Sequence, residues 1–110
     1  MKNISYIAFI GILLLAAVSG CTSTTKPPEK AQYVNISVQQ GKDMITRSEV
    51  FILDVRTQEE YDAGHIRGST LIPVQVIEKR LDEIPRDRKI LVYCRAGRRS
   101  TQASEILANN

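Results

Sequence analysis

Ile90-Leu91-Val92-Tyr93-Cys94-Arg95-Ala96-Gly97-Arg98-Arg99-Ser100 runs from an apolar stretch through a cysteine into three arginines, with a small-residue turn after the first of them. The first four residues read as a buried parallel strand, because they are apolar at consecutive positions rather than alternate ones. Ala96-Gly97 supplies the turn, and a helical pattern follows, with Ala103, Ile106 and Leu107 on one apolar face. A thiol at a strand-to-helix turn meets the unpaired N–H groups of the helix's first turn and the positive end of its dipole. Both favour an anion, and both lower a thiol's pKa. Cys94 is therefore a candidate nucleophile in a cradle for a small anion, with Arg95, Ala96, Gly97, Arg98 and Arg99 as the binding loop. The competing readings are a small buried hydrophobe for the cysteine and a solvated basic face for the arginines.

Working back from this stretch, strands and helices alternate. Residues 50–55, Val-Phe-Ile-Leu-Asp-Val, are the clearest strand. Residues 33–36 and 69–72 are shorter strand candidates. Ser37-Val38-Gln39-Gln40 and Thr57-Gln58-Glu59-Glu60 both have capping-box form and open helices, the second of which Gly64 can end. Val74, Ile77 and Leu81 predict a helix after Pro73. The fold class that follows is α/β, a mainly parallel sheet flanked by helices, with ligands expected at the carboxyl ends of the strands.

The N-terminal third has a different character. Lys2 precedes an apolar run from Ile4 to Val18, which is short for a membrane span. It closes on Val18-Ser19-Gly20-Cys21, which resembles the lipobox of prokaryotic lipoproteins. That resemblance implies a signal peptide at 1–20, lipid on Cys21 and an extracytoplasmic, membrane-anchored protein. An ordinary secretory signal or an uncleaved anchor is the alternative. Residues 21–31, with Pro27-Pro28 and few apolar side chains, read as a tether, and the domain occupies 32–110.

The chain has 110 residues and a formal charge of +3, enough for one small domain. Six aromatic residues and so mild a charge give no reason to expect nucleic acid as a partner. Between Arg86 and Arg99, however, six basic residues face one acid, Asp87, so the positive field gathers around Cys94. With one histidine and two cysteines, one of them expected to be acylated, no set of side chains has metal-ligand spacing, and no cofactor is expected.

Together, Ile52-Leu53-Asp54-Val55-Arg56, Glu60-Tyr61, Gly64-His65-Ile66-Arg67-Gly68, Ile72-Pro73-Val74 and Tyr93 to Ser100 resemble a rhodanese domain, from about Tyr33 onward. The nearest likeness is to small single-domain extracytoplasmic rhodaneses. The resemblance implies sulfur transfer from thiosulfate through a Cys94 persulfide to a thiol or to cyanide, with the loop N–H groups and Arg95, Arg98 and Arg99 holding the anion. A sulfane-sulfur carrier or an interaction module is the alternative. The resemblance also implies that Asp54 and Arg56 latch neighbouring loops and that His65 is structural, with Glu105 one possible partner for a loop arginine. Cys-dependent phosphatases of the same fold place five residues between cysteine and arginine. Here the residue six after Cys94 is Ser100, and this narrower loop suits sulfur better than phosphate. Rhodanese domains continue with a further strand and helix, so the domain is expected to lack the last strand and helix and to leave a flank of the Cys94 strand open.

Overall fold

The computed structural model describes residues 31–110. The expected signal segment 1–20, Cys21 and all but the last residue of the tether lie outside the described residues. No helix among the described residues is long and apolar enough to cross a membrane.

Helix α1, Val38–Thr46, starts where its capping box requires. The Ser37 hydroxyl accepts the Gln40 N–H at 3.1 Å, and the Gln40 side-chain oxygen accepts the Ser37 N–H at 2.8 Å. Gly41 is its buried residue, lying against Leu91 and Ile36. Strand β1, Val50–Asp54, follows and is buried along almost its whole length, as the central strand of a covered sheet must be. Helix α2, Gln58–Ala63, begins at the second capping box, and Gly64 ends it. Strand β2, Thr70–Leu71, and strand β3, Lys89–Tyr93, both pair parallel with β1, giving the order β2-β1-β3. Helix α3, Arg98–Asn109, closes the described chain. On one face of the sheet Leu53 and Val55 meet Ile72, Val74, Ile77, Ile84 and Ala103, which form the core between the sheet, α3 and the segment after Pro73. On the other face α1 covers Leu91. The result is the expected α/β architecture, a parallel sheet flanked by helices.

Two elements differ from expectation. Residues 33–36 form no strand and lie exposed, Val34 most of all at 78 %. A strand exists by its ladder; both sides of β1 are taken by β2 and β3, and residues 33–36 pair with neither outer edge of the sheet. The segment is held instead at its tip, where the Tyr33 hydroxyl donates to Glu105 at 3.3 Å. After Pro73 the chain forms two 3-10 segments, Val74–Lys79 and Leu81–Glu83, in place of an α-helix. The buried pair Val74/Ile77, and half-buried Leu81 with buried Ile84, are three apart, the spacing at which 3-10 side chains line up, and Pro85 biases Ile84 to its extended backbone.

The outer edge of β3 faces no strand among the described residues. A groove of about 370 Å³, bounded by Tyr33, Leu81, Ile84, Ile90, Val92 and Leu107, runs beside it and does not include Cys94.

Candidate active site

β3 ends at Tyr93, and Cys94 is the next residue, at the carboxyl edge of the sheet. Gly97 is the N-cap of α3, with φ of 95°. That left-handed conformation is natural for glycine and strained for other residues, and it folds the loop back over the sulfur. The Gly97 N–H donates to Cys94 Sγ at 3.0 Å and the Ser100 N–H donates at 3.3 Å. Ser100 Oγ lies 3.4 Å from the same sulfur. The Gly97 carbonyl already accepts from the Thr101 N–H at 3.0 Å and the Thr101 hydroxyl at 2.8 Å. The Ser100 hydroxyl, 3.0 Å from that carbonyl, can therefore turn its proton to an ionised sulfur without leaving an acceptor unmet. Partial burial pushes the Cys94 thiol up, but the Ser100 hydroxyl and the N–H groups of Ser100, Gly97 and Ala96 outweigh it, and the thiol is held below its ordinary value.

The three arginines part company. Arg95 and Arg98 are exposed and make no side-chain hydrogen bond or ion pair within the described residues. Arg99 is turned to Glu60: its two terminal nitrogens donate to the Glu60 carboxylate at 2.6 and 2.9 Å. This is the bidentate geometry in which Arg–carboxylate pairs are strongest. The same carboxylate accepts the Thr57 N–H at 3.0 Å as the N3 partner of the α2 capping box. The hydrogen bonds from Arg99, then that from Thr57, hold Glu60 down to about 2. Glu105, by contrast, takes Tyr33 and not a loop arginine. Glu60 and Ser100 both belong to the site without having been assigned a role from sequence. Glu60 is 39 residues from Arg99, so no local spacing could signal the pair, whereas Ser100, six residues from the sulfur, is within reach of a loop-geometry reading.

Beneath the loop, Asp54 is fully buried at the end of β1. Its oxygens accept the Arg56 N–H at 3.0 Å, Arg56 Nε at 2.9 Å, Arg56 Nη2 at 2.7 Å and the Tyr93 hydroxyl at 2.6 Å. Arg56 Nη2 also donates to the Gly64 carbonyl at 2.7 Å, and the Ile66 N–H donates to the Tyr93 oxygen at 3.1 Å. The expected latch is therefore present, and it includes Tyr93, the residue before the nucleophile. Burial pushes the Asp54 carboxyl up, but the Arg56 guanidinium and the Tyr93 hydroxyl more than offset this and leave it below the usual carboxylate range. Burial, then the Asp54 carboxylate, pushes the Tyr93 phenol up. His65 stacks on Tyr61 at 3.6 Å, and its Nδ1 sits 2.8 Å from the Tyr61 carbonyl, which can only accept. That nitrogen must carry a proton, and the ring packs as a structural group. Among the described residues no group of three or more His, Cys, Asp or Glu could hold a metal ion.

Comparison with known proteins agrees with this geometry. Residues 37–110 match the family model for the rhodanese-like domain. A sulfurtransferase of Allochromatium vinosum is 41% identical over 59 residues, covering 54% of this chain and 55% of that protein. Thiosulfate sulfurtransferase PspE of Escherichia coli is 40% identical over 58 residues, covering 51% and 56%. The putative sulfur carrier protein YrkF of Bacillus subtilis is 38% identical over 73 residues, covering 66% and 40%. The chain thus spans about half the length of the curated relatives it matches. The crystal structure of a rhodanese-related protein from Thermoplasma volcanium superposes with a TM-score of 0.65 at 32% identity, over 69% of this chain and 74% of that one. With a matched model over most of its length and its cysteine in the turn between β3 and α3, the chain belongs to the rhodanese-like domain family.

Proposed function

We propose that the protein is a rhodanese-type sulfurtransferase that carries sulfur on Cys94. The observation that supports this most directly is the triple set of donors on Sγ, from the Gly97 N–H, the Ser100 N–H and the Ser100 hydroxyl, beside two arginines with no partner among the described residues. In the first half-reaction the Cys94 thiolate attacks the outer sulfur of thiosulfate. A sulfur–sulfur bond forms to Cys94, the one to the sulfonate sulfur breaks, and its electron pair leaves with sulfite. Arg95 and Arg98 raise the local concentration of the anion and stabilise the departing charge. The donors that held the thiolate then hold the persulfide anion. In the second half-reaction a thiol or cyanide attacks the terminal sulfur, and the Cys94 thiolate is the leaving group. No general base is required when Cys94 enters as the thiolate, the form that its hydrogen-bond donors favour.

Steady-state assay with thiosulfate and cyanide tests the reading. Thiocyanate and sulfite are expected in equal amounts with ping-pong kinetics, and Cys94→Ser is expected to abolish both. A Cys94→Ser protein with full activity would refute it. A carrier is the second reading, favoured by the similarity to the putative sulfur carrier protein; it predicts loading of Cys94 without multiple turnover. We propose further that Cys21 is acylated and tethers the domain outside the cytoplasm, which the mass of the intact, detergent-extracted protein tests. A mass equal to the unmodified 110-residue chain would remove that part.

A further inference from the structure

Of the three loop arginines, the one whose charge is cancelled is the one next in sequence to Ser100, a donor to the sulfur. Arg99 is the second residue of α3 and points to Glu60 on α2, through two hydrogen bonds of 2.6 and 2.9 Å. It remains within electrostatic reach of the Cys94 sulfur, which raises its own proton affinity. Glu60 Oε2, which takes one Arg99 nitrogen, also accepts the Thr57 N–H and the Thr57 hydroxyl, so the carboxylate cannot easily swing away. Held down to about 2, chiefly by Arg99, it stays charged at any working pH. We infer that Glu60 is a charge mask: it neutralises Arg99 beside the cradle and so limits how tightly the site grips anions.

The consequence is chemical, and it rests on the sulfurtransferase reading. A sulfur-transfer site receives one anion, thiosulfate, and must then release another, sulfite. Three uncompensated guanidinium groups around a helix N-terminus would bind both, and would hold the product against release. With Glu60 in place the resting site sets three arginines against the Cys94 thiolate and one carboxylate. Entry is assisted by Arg95 and Arg98, and departure is not opposed by Arg99. Glu60 is thus a positioning residue that sets the strength of the site's grip on anions, weakening it for substrate and product alike. Uniform tightening of substrate and product lowers KM without raising kcat, and it lowers kcat once release becomes limiting.

The test uses Glu60→Gln in the full chain. Glutamine keeps the acceptor that α2 needs at N3; Gln40 fills that position in α1 of this same protein. The readout is protection of Cys94 from iodoacetamide, an uncharged reagent, by sulfite or sulfate, followed on the Cys94 peptide. The Arg99 and Glu60 side chains are 27% and 26% exposed, so water screens the uncovered charge, and a fall of about fivefold in the half-protecting concentration is expected. Arg99→Gln alone is expected to weaken protection, because it leaves the carboxylate uncompensated. The double variant is expected to return to within about twofold of the unsubstituted protein. In steady state Glu60→Gln should lower the KM for thiosulfate and lower kcat, with stronger inhibition by sulfite. Unchanged or weaker protection in Glu60→Gln would overturn the inference, as would a double variant that grips anions as tightly as Glu60→Gln. Protection does not depend on turnover. Loss of the sulfur-transfer reading and loss of the mask are therefore separate results.

Discussion

Ser100 shows how a single side chain sets the state of the nucleophile. Its N–H and its hydroxyl both address Cys94 Sγ, and Thr101 frees the hydroxyl by satisfying the Gly97 carbonyl. Ser100→Ala keeps both N–H donors and removes one hydrogen bond to the thiolate. A bond to a charged group contributes about 1.5 kcal/mol at the low end. The pH midpoint of Cys94 alkylation by iodoacetamide is therefore expected to rise toward that of free cysteine. A midpoint that does not move would show that the loop N–H groups alone hold the thiolate. Cys94 itself was legible in sequence, because an apolar run, a Gly turn and basic residues can be seen within eleven positions. Which arginine pairs with a carboxylate was not. Arg95, Arg98 and Arg99 look alike in the chain, and only folding brings Glu60 to one of them.

Among the elements, those read correctly carry their own local instructions. Both capping boxes form as their spacing requires, at Ser37/Gln40 and Thr57/Glu60, and the apolar run of β1 fills the centre of the sheet. The two misread elements depend on something distant or subtle. Residues 33–36 have the composition of a strand but pair with neither edge of the sheet. The segment after Pro73 packs residues three apart, a spacing that α and 3-10 geometry share over one turn. β3 offers a prediction at this scale. Its Tyr93 carbonyl accepts the Val55 N–H, so Tyr93 turns its polar backbone toward β1. Alternation along a parallel strand then turns Ile90 and Val92 to the open edge. In native-state hydrogen exchange the Ile90 and Val92 amides are expected to exchange faster than those of Leu91 and Tyr93. Equal protection across the strand would show that the edge is covered.

For the molecule as a whole, stability and site geometry share the buried Asp54. It joins the ends of β1 and β3 to the turn at 64–66 through Arg56 and Tyr93. Because its folded pKa is depressed, its contribution is complete above the unfolded carboxylate value, about 4, and is lost as pH falls through the lower folded value. Stability in urea is thus expected to be flat above about pH 5 and to fall in acid. Asp54→Asn should cost about 3 kcal/mol at neutral pH, since it strands Arg56, and should blunt the acid limb. An unchanged acid limb in that variant would assign it to other carboxylates. The proposed function requires of this scaffold a Cys94 able to accept a second sulfur. The most direct measurement is the intact mass of the protein after incubation with thiosulfate and removal of small molecules. The expected result is a gain of one sulfur atom on Cys94, reversed by cyanide and absent from Cys94→Ser. An unchanged mass, or the same gain in Cys94→Ser, would contradict it.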